Sequence, residues 1–348
     1  MQISISQDTS HKLANLSFIC ACFVAYIHTC PATADFSPLW WFLTLGRSGI
    51  GSTAVPLFFV IAGFLLVGHY GEKGWWPREL WKRVWSLLVP YCLWKVLYAF
   101  SYGAVALGHI MTEASSQHMG AGQMLREMGS VIGESLMSGG PGHLWFIRAL
   151  FLLVIAAPLL FWPLAKNRRF ATGTMAVMLA LYVIFCPGTR GEEPYSQIWW
   201  CFYFMLGAYL RNWPVALRMP KWSAVLLLLC CLPGYGFFWY GRTAGTNSLP
   251  VLYQFSLLGA MVALWVLVPR TKWPQWLTSC SFAIYLMHCL FSYRMALVGA
   301  LFPAFEGTLM SIPGYLVYGA LVVGSCVAVT HFLRRFLPRT ARALFGGR

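Results

Sequence analysis

The segment CFVAYIHTC, residues 22–30, sets one imidazole, His28, inside an apolar run. Histidine titrates near pH 6.5 in its ordinary state, at about the pH where a group must both take and return a proton, so it suits removal of a hydroxyl proton during group transfer. Further along, SFAIYLMH carries Ser281, Tyr285 and His288 at i, i+4 and i+7, a spacing that puts all three on one helical face. Lys95, Arg148 and Arg294 are cations within other apolar stretches. An ionisable side chain in hydrocarbon costs several kcal/mol and usually faces a polar interior or a pathway. Two kinds of chemistry fit: proton and group transfer at an imidazole, or a polar path lined by these side chains. A plain interhelical hydrogen bond also explains His288, and an interfacial cap explains His143 at the start of its helix.

The elements that must carry these residues follow from composition. Of 348 residues, 59% are hydrophobic and 10% charged, whereas a soluble domain carries roughly 25% charged residues. A membrane-crossing helix needs about 20 mostly apolar residues. Windows of that kind run near 13–30, 50–69, 84–106, 143–165, 170–187, 197–212, 222–240, 250–269, 276–302 and 313–337, the sixth being short. The expected fold is therefore all-α, a polytopic membrane bundle of about ten transmembrane helices, and a single integral membrane domain over 1–348 with its core at 13–337. Counting about 1.5 Å per residue from Leu13, His28 lies roughly 22 Å along the first helix, near its far end.

Basic residues orient the bundle, because Lys and Arg collect on the cytoplasmic side. Sorted by alternate connections, one side takes Lys12; Lys73, Arg78, Lys82 and Arg83; Lys166, Arg168 and Arg169; Arg211, Arg218 and Lys221; Arg270 and Lys272; and Arg334, Arg335, Arg339, Arg342 and Arg348, which is 18 of 25. Both termini are thereby placed in the cytoplasm and His28 near the outer face. The net charge of +15 needs no nucleic acid to explain it, since the basic residues are spread over separate loops on one side. Most of the acids fall in outer loops, where a solvated surface accounts for them; Asp35, in the loop after His28, is kept as an acceptor-side candidate.

Ten of the eleven cysteines lie within apolar windows, Cys186 lies at the end of one, and none forms a CxxC pair, so packing is their expected role. His28, His143 and His288 are scattered singly along the chain, and no haem or metal is expected from that spacing. The small-residue stretch Ala32-Thr33-Ala34 is compatible with signal-peptide cleavage, but Asn15, Ser17 and His28 interrupt the preceding apolar run, and a retained first helix is the expectation. In the outer segment 107–142, Met124, Leu125, Met128, Val131, Ile132 and Leu136 recur at helical spacing and predict an amphipathic helix.

Four stretches in order, the first helix ending in His28, AVPLFFVIAGFLL, KRVWSLLVPY, and the pair HLWFIRALF and SFAIYLMH, resemble the acyltransferase 3 family of bacterial inner-membrane proteins. The resemblance spans Leu13 to about Phe336 and lacks the soluble esterase-like domain that some members append. It implies a multi-pass enzyme moving an acyl group from acyl-CoA, with acetyl-CoA the expected donor and no metal, to a hydroxyl of a cell-surface or exported glycan or glycolipid. It also implies that His28 is the essential catalytic residue, acting as base or acyl carrier, and that Arg83 engages the CoA phosphates.

Two positions depart from the family pattern. Ser17 stands where a basic residue eleven positions before the histidine is usual, and Ser86 stands where a second arginine would follow Arg83. Many members have a carboxylate shortly after His-x-Trp, where this chain has Arg148.

Lys95 is a candidate for the thioester oxygen or a phosphate, Tyr285 and His288 for orienting His28 or stabilising the oxyanion, and His143 and Trp145 for the acceptor surface. A homodimer is left open. The alternative function is a transporter or flippase of a glycan or lipid intermediate, although no internal repeat of the kind common in transporters is visible.

Overall fold

A computed structural model describes residues 5–29, 36–101, 121–137, 142–186, 196–246, 248–292 and 311–347. Among these residues the fold is helical with no strand, one of the two ways, with the closed barrel, in which a chain can pair its backbone N–H and C=O groups inside hydrocarbon. The helices are α1 (Gln7–Thr29), α2 (Pro38–His69), α3 (Trp75–Ser101), α4 (Ala121–Met137), α5 (Gly142–Lys166) and α6 (Arg168–Phe185). They continue with α7 (Ser196–Asn212), α8 (Lys221–Ala244), α9 (Pro250–Leu267), α10 (Ser281–Ser292), α11 (Ser311–Phe336) and α12 (Pro338–Phe345).

Among the described residues, eight of these helices are long and apolar enough to cross a bilayer: α1, α2, α3, α5, α6, α8, α9 and α11. The short sixth window becomes α7, at 17 residues, and the ninth appears as the apolar α10. The chain is thus an all-α polytopic membrane bundle.

Two boundaries and one further helix differ from expectation. The second span begins at Pro38 rather than near 50, with Ser37 capping it by accepting from the Trp40 amide at 3.1 Å. Its residues Thr44–Ile50 form a π-helical stretch, TLGRSGI, whose glycines and arginine look like a loop in sequence. Within the helix the Ser52 hydroxyl donates to the Ser48 carbonyl at 2.8 Å. The same carbonyl accepts from Trp239 Nε1 at 3.1 Å and from the Tyr253 hydroxyl at 3.4 Å. The third span starts at Trp75, nine residues before the expected 84. Finally, the basic tail holds a helix of its own, α12, beginning with Pro338, which has no N–H to leave unpaired in the first turn.

The described contacts gather into two compact units, one of 1–77 with 155–332 and the other of 78–154 with 333–348. In the first, α2 and α7 approach at backbone distance. A Cβ on Gly63 would strike the Phe204 carbonyl oxygen, and one on Gly207 the Val60 carbonyl oxygen. Small residues permit such close crossings where lipid supplies no hydrophobic drive. Buried Cys231, Tyr235, Phe238, Tyr253, Leu257 and Ala260 form the core between α8 and α9.

The second unit holds the amphipathic α4, found where its spacing predicts it. It also holds the docking of α12, whose Leu344 carbonyl accepts from Trp94 Nε1 at 3.0 Å and whose Phe345 ring stacks on Trp94.

Candidate active site

The first unit brings together residues 260 positions apart in sequence. His28 occupies the last turn of α1, and that turn is tied to α11 and bonded within itself. The Tyr26 hydroxyl donates to the Leu316 carbonyl of α11 at 2.8 Å, and the Thr29 hydroxyl donates to the Tyr26 carbonyl at 3.1 Å. Lower in the same helix, Asn15 donates to the carbonyls of Pro269 at 3.1 Å and Thr271 at 2.8 Å, fixing the register of α1 against the loop before α10.

Helix α10 begins with Ser281, whose hydroxyl donates to the Thr278 carbonyl at 2.7 Å. Its polar face points inward as the spacing requires: Ser281, Tyr285 and His288 are all buried, His288 completely.

The ring centroids of His28 and His288 lie 4.9 Å apart with planes inclined at 43°. His288 Nδ1 lies 2.8 Å from the Tyr285 carbonyl and 3.2 Å from that of Ile284. Carbonyls only accept, so Nδ1 carries the proton and Nε2 the lone pair. Nε2 in turn sits 3.2 Å from the Sγ of Cys289. The Tyr285 ring stands 6.2 Å from that of His288, with Phe58 edge-on to it at 6.4 Å. His28 is exposed where its partner is sealed. The result is one imidazole open to solvent, backed by a second whose tautomer and orientation the helix backbone sets.

Around the lower part of α1, the Ser17 hydroxyl donates to the Leu13 carbonyl at 2.8 Å. Lys12 is buried with its ammonium 4.7 Å from the Trp265 ring centre, a cation–π contact.

The remaining expected site residues belong to the second unit. Arg83 and Lys82 share one buried carboxylate, Glu79: Lys82 Nζ lies 2.7 Å from one oxygen and Arg83 Nη2 3.5 Å from the other. Two cations on one carboxylate leave one positive charge in excess, so the pairing is compatible with a further anion. Lys95 is half-buried on the same helix. His143 lies in the short turn that opens α5, buried, with the edge of Tyr98 4.9 Å from its ring. Trp145 is half-buried beside it in sequence and packs edge-on to Phe146 at 6.3 Å. Arg148 is exposed. Asp35 and Arg294 lie outside the described residues.

Two residues at these places are not singled out by composition. Cys289 reads as a packing residue in an apolar helix, and only its position directly after His288 hints at more. Glu79 carries a plainer signal, since its spacing of three and four to Lys82 and Arg83 in ELWKR is that of helical ion pairs.

Among known proteins, a family model described as an acyltransferase domain matches residues 13–331. No curated protein and no solved structure matches the chain.

Proposed function

The chain belongs to the acyltransferase 3 family, and from that membership we propose that it is an O-acyltransferase of a bacterial inner membrane. It takes an acyl group, acetyl first among the candidates, from cytoplasmic acyl-CoA and places it on a hydroxyl of an exported or surface glycan or glycolipid. The observation that carries the chemistry is the exposed His28 at the end of α1, 4.9 Å centre to centre from the buried His288.

His28 takes the proton of the acceptor hydroxyl as the oxygen attacks the thioester carbonyl. The C–S bond then breaks, the acyl–oxygen ester forms, and the CoA sulfur leaves with the proton that His28 returns. General-base catalysis of this kind is worth about 10²–10⁴-fold. His288, with Nδ1–H given to the Tyr285 and Ile284 carbonyls, presents a lone pair toward its neighbours and steadies the ring of His28 through the charge change. Tyr285 lends its dipole to the same group. Arg83 supplies the positive charge for the CoA phosphates, with Lys95 further along the same helix. His143 and Trp145 shape the acceptor surface. Family membership favours this enzyme over a glycan or lipid transporter, whose polar residues would line a path without forming a bond.

Membranes containing wild type or His28→Ala, supplied with acyl-labelled acetyl-CoA, test the reading. Wild type is expected to label glycan, and His28→Ala to lose at least about 10²-fold of that rate. Equal labelling overturns the assignment of His28. Ping-pong kinetics would mark an acyl-histidine route in place of direct transfer.

A further inference from the structure

We propose that His28, His288 and Cys289 form a three-ligand site for a thiophilic divalent cation of the Zn2+ and Cd2+ class, and that filling it stops acyl transfer. The first half stands on geometry alone; the second rests on the reading of His28 as base.

The donor atoms of the three residues all lie within 4.8 Å of one another. A tetrahedral ion with nitrogen ligands near 2.0–2.1 Å and sulfur near 2.3 Å spans about 3.6 Å from N to S and about 3.3 Å from N to N. The 3.2 Å between His288 Nε2 and Cys289 Sγ is already close to the first span. Rotation of the exposed His28 ring supplies the second.

An independent feature points the same way. A metal-ligating histidine almost always gives its other ring N–H to a carboxylate, a backbone carbonyl or water, which fixes its tautomer. His288 does so twice, at 2.8 and 3.2 Å, with Nδ1 directed to the Tyr285 and Ile284 carbonyls. Nε2 is thereby left as the ligating atom, facing the sulfur. His288 and Cys289 are sealed from solvent, while His28 is exposed and provides the way in.

Two imidazoles and a thiolate select soft ions over Mg2+ or Ca2+, which prefer oxygen. On binding, the ion replaces the thiol proton, which passes to water, and occupies the His28 lone pair that would otherwise take the acceptor proton. A fourth position remains open on the exposed side for water or a halide.

The test uses the full chain, purified in lipid nanodiscs and stripped of metal, titrated with CdCl2 while the ultraviolet charge-transfer band of thiolate bound to cadmium is followed. Wild type is expected to develop the band at one equivalent. Cys289→Ser should lose it, and His28→Ala should require at least about tenfold more cadmium. X-ray absorption of the zinc-loaded wild type should show one sulfur and two imidazole nitrogens, which does not depend on any variant folding.

In the labelling assay, Cys289→Ser should keep its metal-free activity and need at least about tenfold more Zn2+ for half-inhibition than wild type. A band of equal size in wild type and Cys289→Ser, or a zinc shell without sulfur, overturns the site. Equal zinc inhibition of the two proteins overturns the control of activity. If metal-free wild type transfers no acyl group at all, the acyltransferase reading fails while the cadmium band still decides the site.

Discussion

At the scale of single residues, the pairing of an open and a buried imidazole is the feature on which the proposed chemistry turns. His288 touches no substrate in the proposed reaction and acts through His28. His288→Ala should therefore lower kcat by about tenfold or more and leave the KM for acyl-CoA near its wild-type value, since a positioning group adds to transition-state stabilisation without holding the donor. A rise in KM with kcat unchanged would place His288 in donor binding instead. Arg83 makes the opposite prediction. Its guanidinium shares Glu79 with Lys82, at 3.5 and 2.7 Å respectively, so Arg83→Gln leaves that carboxylate paired through Lys82 and removes the surplus charge. The expected result is a KM for acyl-CoA raised about tenfold, the order of one charge-assisted hydrogen bond to phosphate, with kcat nearly kept. An unchanged KM would reduce Arg83 to a topology-setting charge.

Among the helices, close packing and local pairing decide which parts yield. The backbones of α2 and α7 meet at Gly63 and Gly207, where a Cβ would strike a facing carbonyl oxygen. Gly63→Val should destabilise the protein by about 3 kcal/mol, at the upper end of overpacking costs, because a backbone atom cannot swing aside as a side chain can. A melting temperature of the detergent-solubilised variant equal to that of wild type would contradict this. In the second unit, α12 is tied by the Trp94 indole to the Leu344 carbonyl and by Phe345, which is buried against the same ring. Trp94→Ala should free this helix, seen as faster cleavage after Arg339 and Arg342 under limited trypsin digestion. Unchanged cleavage would mean that other contacts hold it.

For the whole molecule, the surroundings impose the architecture. A chain with 59% hydrophobic and 10% charged residues must satisfy its backbone in lipid internally, and among the described residues it does so as helices; the one-sided distribution of Lys and Arg is expected to place both ends in the cytoplasm. A peptide tag fused after Arg348 should accordingly resist protease in intact cells and be cut once the membrane is opened; cleavage in intact cells would invert the topology and put His28 on the wrong side for an exported acceptor. Much of this was legible in the sequence because each spanning segment must satisfy the bilayer by itself. The positions of α1, α5, α6, α8, α9 and α11, the amphipathic α4, and the inward face of Ser281, Tyr285 and His288 all follow from local composition and a 3.6-residue period. The span from Pro38 was not legible, because TLGRSGI has the composition of a loop, and the Trp239 and Tyr253 donors that meet its Ser48 carbonyl lie about 200 residues away in the chain.

By itself the sequence determined a multi-pass helical membrane protein with a titratable ring near the far end of its first helix, since hydrocarbon tests every segment separately and the test can be read residue by residue. Tertiary structure alone decided that His28 meets His288 and Cys289, and that Lys12 rests on Trp265. Such neighbours are chosen by how whole helix surfaces fit together, through carbonyl partners, small residues and ring edges far apart in the chain, and no local spacing encodes that choice.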